Sequence, residues 1–149
     1  MDNGKQVTVV MEIKARLDEE RNIVWARELE KAGAHVVFGF VGLKTHCKVV
    51  LVVRREGAGI RRYVHLGTGN YNPQTARLYT DLAFFTCRED FCEDASLLFN
   101  YLTGYCQPPK WRKLVVAPTH LQQFMLDRIE QEIQHQKEGK GGRIIAKIN

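Results

Sequence analysis

Two β-branched runs constrain this chain more than anything else in it. "VTVVMEI", residues 7–13, and "AHVVFGF", residues 34–40, both have the composition of strands. Between them Asp18 is placed to start a helix, with Glu19 and Glu20 in the first turn, where the helix dipole favours negative charge. Trp25, Ala26, Leu29 and Ala32 are expected to line one face of that helix, and Gly33 to end it. A strand, a helix and a strand in this order favour a parallel or mixed sheet covered by helices.

The remaining elements extend that plan. A third strand is expected over about His46–Arg54, a hairpin connection at "REGAGI", and an antiparallel partner in "RRYVHLGTG". "GTGNYNPQ" is a loop leading into a strand "YTDLAFFT". Asp90 with Glu93 forms a capping-box pair for the next helix, and Thr119 with Gln122 forms a second. Leu121, Met125, Ile129 and Ile133 then share a helical face. "YCQPPKW" suits a surface loop, "KLVVAP" a short strand, "KEGKGG" a flexible link and "RIIAKI" a terminal strand. The expected whole is one α/β domain over residues 1–149, starting and ending at strands as an excised domain would.

With 149 residues, 44% of them hydrophobic, the chain can build one sizeable core. No apolar run approaches the roughly 20 residues of a membrane span, so no transmembrane segment is expected. Cys47, Cys87, Cys92 and Cys106 are spread without a C-x-x-C pair, which argues for a reducing, cytosolic setting over a disulfide framework or zinc site. A net charge of +5 favours polyanionic partners: nucleic acid, a nucleotide, a phosphate chain or an acidic protein face. Between residues 44 and 62 the basic side chains of Lys44, Lys48, Arg54, Arg55, Arg61 and Arg62 face only Glu56 in opposition.

Within "GLKTHCKVVLVVRR" a strand over 46–54 would put His46 and Lys48 on one face, and Cys47 on the other with the core. Histidine can exchange protons near neutral pH, ligate a metal, or attack phosphorus through a neutral ring nitrogen. A lysine beside it would stabilise negative charge building on a transferring group. The same pair also suits a histidine bonded to a carbonyl and a lysine snorkelling from a sheet edge. Glycines in "GTGN" allow backbone amides to cradle an anion, with the Asn70 amide nearby, or simply make a turn. Lys14 and Arg16 follow the first strand, at the end where open α/β sheets bind ligands. Arg77, Tyr79 and Asp81 share a face if their strand begins that early. Tyr79 would then stack on a base or simply pack, and Asp81 would hold a metal, orient an imidazole or stand as an edge carboxylate. His35, His65, His120 and His135 have weaker contexts and suit packing or solvent.

The strings "VMEIKARLDEERNI", "GLKTHCK" and "RRYVHLGTGNYNPQTARLYTDLAFFT" stand in one order. Together they resemble the first C-terminal catalytic domain of bacterial polyphosphate kinases, the class whose catalytic domains are phospholipase D-like. The resemblance implies an α/β fold with a phospholipase D-like mixed β-sheet flanked by helices. It further implies reversible transfer of the terminal phosphate of ATP to inorganic polyphosphate through a phosphohistidine, with Mg2+ and with ATP/ADP as substrate. His46 corresponds to the phosphorylated histidine. Arg16 matches a phosphate-binding arginine of the magnesium-dependent site and is not an ordinary metal ligand. Tyr79 matches a tyrosine near the nucleotide. Lys48 and Asn70 fit the His-x-Lys and GxxN elements as phosphate contacts, with Asp81 and Arg77 in support.

Departures from the family pattern sharpen the expectation. Val53 stands where the usual phospholipase D pattern has an aspartate, which argues against ordinary phosphodiester hydrolysis. Full family members are several times longer, carry a second essential histidine on another catalytic domain, and form homo-oligomers. The isolated chain is therefore expected to be nearly inactive, and its partners are ATP, polyphosphate and the remaining domains of the same enzyme. The implied location is cytoplasmic, with peripheral association at a membrane as a variant. Two other readings stay open on the residues: a phospholipase D-like phosphodiesterase or nuclease, and a non-enzymatic polyanion-binding module. No aromatic-rich motif points to a specific nucleic acid.

Overall fold

The computed structural model describes residues 3–12, 19–40, 42–104, 107 and 109–146, in two compact units, Met1–Arg112 and Lys113–Asn149. In the first unit, β1 (Thr8–Met11) leads through α1 (Glu19–Lys31) to β2 (His35–Phe38). β1 and β2 pair in parallel, Thr8 opposite His35 through Met11 opposite Phe38, so the expected β-α-β unit is present. The proposed start at Asp18 lies outside the described residues. At the other end of α1, Ala34 N–H donates to Leu29 O and Gly33 N–H to Glu30 O, both over 2.9 Å. Gly33 has a φ of 89°, so the helix closes in a Schellman motif that a side chain at this position would strain.

The buried line of α1 differs from the expected one. Ala26 is buried and Leu29 half-buried, but Trp25 is 62% exposed and Ala32 is exposed. The inward line runs Asn22–Ala26–Leu29, with the Asn22 amide donating to Glu12 O at 2.9 Å. Trp25 is turned about 100° from Ala26 and falls outside that narrow contact.

β3 (Lys48–Glu56), β4 (Gly59–Gly67) and β5 (Ala83–Thr86) form an antiparallel sheet in that order. Parallel and antiparallel pairing both occur, as the sequence implies, and the described strands distribute them over two ladders. Gly57 and Ala58 make a tight hairpin turn between the paired Glu56 and Gly59, with Gly57 at φ 57°. β3 begins at Lys48 and not at His46, so His46 and Cys47 lie before the strand and both are exposed. Cys47 is thus not a core residue. β5 starts only at Ala83, because residues 75–77 wind into a 3-10 turn held by the Asn72 side chain, which accepts from Gln74 N–H at 2.8 Å. Arg77, Tyr79 and Asp81 therefore share no strand face.

α2 (Glu89–Thr103) covers the sheet. Val64, Cys92 and Ala95 are its buried contact, with Val49, Leu51 and Leu66 packed against them. The expected capping box at Asp90 and Glu93 is absent, because the helix begins earlier. Arg88 is the extended N-cap residue, Asp90 sits inside the first turn paired with Arg88, and Glu93 pairs with Arg112. Asp94 is 0% exposed, and both its carboxylate oxygens accept from Arg112 N–H at 3.0 Å. Cys47, Cys87 and Cys92 are free thiols; Cys106 lies outside the described residues.

In the second unit, α3 (Leu121–Lys137) ends in another Schellman motif at Gly139, φ 73°. Thr119 makes no capping box; its hydroxyl bonds to Val116 O and to His120 Nδ1 instead. Leu121, Met125, Ile129 and Ile133 remain 39–53% exposed. Neither the short strand expected at "KLVVAP" nor a strand over the described part of "RIIAKI", residues 143–146, forms. Val116 O is taken up by His120 N–H in the turn before α3. Beyond the helix, Gly142 N–H donates to Gln136 Oε1 and Arg143 N–H to Glu132 Oε2, which folds 142–143 back on α3.

Candidate active site

Antiparallel pairing brings three chain segments to one end of the sheet: the entry to β3, the exit from β4 and the entry to β5. Lys48, first in β3, lies directly opposite Gly67, last in β4, and Gly67 is opposite Ala83, first in β5. His46, Asn70 and Asp81 lie within a few residues of those positions, so strand order alone gathers them at this end.

The segment carrying His46 is tied down from the other ladder. Thr45 N–H donates to Glu12 Oε2 at 2.7 Å, and Gly39 N–H donates to Met11 O at 3.3 Å. A Cβ at Gly39 would collide with Thr45 Oγ1, so glycine here lets the two segments meet. Glu12 therefore anchors the residue next to His46. The sequence held a signal for it, a carboxylate inside an otherwise apolar β-branched run, but nothing local names its partner.

Lys48 Nζ donates to His46 O at 2.7 Å, so the lysine is folded back over the backbone of the histidine it follows. The two are joined by this contact and not by strand alternation. The Lys48 charge, then burial, then the Lys44 charge hold the His46 imidazole below its ordinary pKa, which keeps a ring nitrogen unprotonated at neutral pH. Lys48 is itself lowered, chiefly by burial; neighbouring Cys47 and Asp81 oppose that shift, while Lys44 adds to it. Burial also raises the Cys47 thiol.

Asn70 is exposed, and among the described residues no partner holds its side-chain amide. Asp81 accepts from Thr68 Oγ1 at 2.9 Å. Arg77 is exposed in the 3-10 turn, and Tyr79 follows it 63% exposed; neither hydrogen bonds to His46, Lys48, Asn70 or Asp81. Lys14 and Arg16 lie outside the described residues. His65 is drawn into the site's support: its Nδ1 shares a 2.6 Å hydrogen bond with Tyr71 Oη, and its ring lies 4.4 Å from that of Phe85. Burial raises the Tyr71 hydroxyl pKa, with the nearby Cys47 adding to it. No group of three or more His, Cys, Asp or Glu among the described residues is arranged to hold a metal. Nor is any described helix long and apolar enough to cross a membrane.

A nucleophile-capable imidazole, a cation over its backbone and exposed amide donors nearby suit transfer of an anionic group. Comparisons with known proteins agree in kind. The chain is 59% identical over 148 residues to the polyphosphate kinase of Synechocystis sp., covering 99% of this chain and 20% of that protein. It is 60% identical over the same length to that of Thermosynechococcus vestitus, again 20% of the relative. It thus spans about a fifth of the length of the curated relatives it matches. The crystal structure of polyphosphate kinase from Porphyromonas gingivalis superposes with a TM-score of 0.77 at 36% identity, covering 91% of this chain and 23% of that one. The α/β, phospholipase D-like class implied by the motifs stands with that match. The sequence model of polyphosphate kinase C-terminal domain 1 matches residues 1–108, and the chain belongs to that family.

Proposed function

We propose that this chain is a phospholipase D-like catalytic domain that supplies the phosphoryl carrier of an ATP:polyphosphate phosphotransferase, and that His46 is the carrier. The observation that supports it most is the depressed pKa of His46 beside Lys48, at a sheet end tethered by Glu12. A neutral ring nitrogen attacks the γ-phosphorus of MgATP in line, the bond from phosphorus to the bridging oxygen breaks, and ADP leaves with that oxygen. A terminal oxygen of polyphosphate then attacks the phosphohistidine, and the imidazole departs. Both steps are reversible, and they depend on alignment and charge stabilisation more than on covalent help from other groups.

Lys48 and Asn70 meet the transferring oxygens, and Arg16 binds phosphate. The exposed Tyr79 ring stacks on the nucleotide base, with Arg77 and Asp81 in support. Magnesium brought with the nucleotide would neutralise phosphate charge, with Arg16 as the phosphate-binding arginine beside it. ATP as donor places the enzyme in the cytoplasm, free or peripherally on a membrane, with the remaining domains and a homo-oligomeric assembly completing the site.

The test is labelling of the intact parent protein with γ-labelled ATP. An acid-labile, alkali-stable phosphate is expected on the peptide containing His46, and none in His46→Ala. Undiminished labelling of the alanine variant would refute the assignment.

A further inference from the structure

The last pair of the β4–β5 ladder is Gly67 with Ala83, yet the pairing runs one step further by an unusual route. Thr68 N–H donates to Leu82 O at 3.0 Å, as a strand residue would. The reciprocal bond is not made by a carbonyl: Leu82 N–H donates to Thr68 Oγ1 at 3.0 Å. The same hydroxyl donates to Asp81 Oδ1 at 2.9 Å. A side chain thus stands in for the main-chain carbonyl, and the backbone after Thr68 is released from the sheet directly beside the position opposite Lys48. Gly69 follows with its Cα against the same carboxylate, where an added Cβ would run into Asp81. Asn70 comes next. One hydroxyl therefore fixes where β4 stops, where the Gly69–Asn70 segment departs, and where the Asp81 charge sits relative to the lysine it influences.

We propose that Thr68 is a positioning residue for phosphoryl transfer, acting through this clasp on Asp81 and on the Gly69–Asn70 segment. The proposal rests on the phosphotransfer reading of this sheet end. Valine keeps the shape and β-branching of threonine but neither donates to Asp81 nor accepts from Leu82 N–H. Serine keeps both bonds and loses only a methyl group. A structural filler would respond to the methyl, and a clasp to the hydroxyl.

The experiment measures kcat and KM for MgATP, with the melting temperature, in the intact parent protein carrying Thr68→Val, Thr68→Ser or Gly69→Ala. Displacement of aligned groups predicts a fall in kcat of about 30-fold for Thr68→Val and Gly69→Ala, with KM within about threefold of the parent and Thr68→Ser restoring kcat to within about threefold. Parental kcat in Thr68→Val, or Thr68→Ser as impaired as Thr68→Val, overturns the proposal. Should Thr68→Val fail to fold, Gly69→Ala decides, because it crowds the carboxylate without touching the hydroxyl; parental kcat there overturns the clasp equally. The His46→Ala labelling keeps the two claims apart. Loss of label in that variant together with a fully active Thr68→Val sinks the clasp alone, whereas a parent without transfer activity sinks the phosphotransfer reading and the clasp with it.

Discussion

Replacing Gly39 with alanine tests the link between the two ladders. The new Cβ would overlap Thr45 Oγ1, and it would lie 3.2 Å from Thr45 Cβ and 3.8 Å from Glu12 Oε2. Rotating the threonine about χ1 removes the first conflict but not the second, so residue 45 must also retreat by a few tenths of an ångström. That movement works against the 2.7 Å bond from Thr45 N–H to Glu12. Overpacking of this kind costs about 1–3 kcal/mol. Alanine offsets it by about 0.4–1 kcal/mol, because it restricts the unfolded chain.

The expected net is about 1–2 kcal/mol of lost local stability, so exchange of the amides over residues 42–50 should accelerate about 5- to 30-fold. Hydrogen exchange read by mass spectrometry on the intact protein measures this directly. In a Thr45→Ala background the hydroxyl overlap is gone while the 3.2 Å contact with Cβ remains, so Gly39→Ala should cost less there than in the parent, a coupling between neighbours that a double-mutant cycle isolates. Unchanged exchange in the single variant, or equal acceleration in both backgrounds, would refute the packing argument.

Lys48→Met should raise the His46 pKa toward its ordinary 6.5, since the lysine charge is the largest cause of the depression, with Lys44 still holding it down in part. A titration of the ring by NMR reads the change; an unmoved or lower value contradicts it. The same depression has a stability sign. The unfolded chain binds the proton more readily, so the folded chain loses stability as pH falls from 6.5 toward the lowered folded value, and Lys48→Met should shrink that loss. Asp94→Ala removes both acceptors of the Arg112 N–H in a fully buried position and should cost about 1–3 kcal/mol, seen as faster proteolysis near residue 112; resistance equal to the parent would show that the carboxylate contributes little.

Local pattern carried the sequence reading as far as local forces decide. The βαβ unit, the Gly33 stop and the hairpin at Gly57 depend on periodicity and on glycine conformation, and each formed where expected. The strands start later than His46 and Tyr79, the first for a tertiary reason and the second for a local turn that alternation does not register. Glu12 holds Thr45 off the ladder, and Asn72 winds 75–77 into a turn. Asp90 and Glu93 have capping-box spacing, but Arg88 has the extended backbone and helix α2 starts before Asp90. At the site, the neighbourhood of His46 and Lys48 was legible, while its mechanical supports were not. Glu12 and Thr45 are 33 positions apart, and Thr68 and Asp81 are 13 apart, distances over which no short-range pattern specifies a partner.

The direct pairing of Lys48 with Gly67 makes ladder register a form of proofreading. A slip of one residue between β3 and β4 would turn Val49 and Leu51 away from α2, because strand faces alternate. The same slip would set Leu66 or Thr68 against Lys48 and pull the β4 exit out of line with His46. The error that would disable chemistry is thus the one that would also empty the core. A misaligned sheet is penalised by lost burial before it can persist as a folded but inactive form.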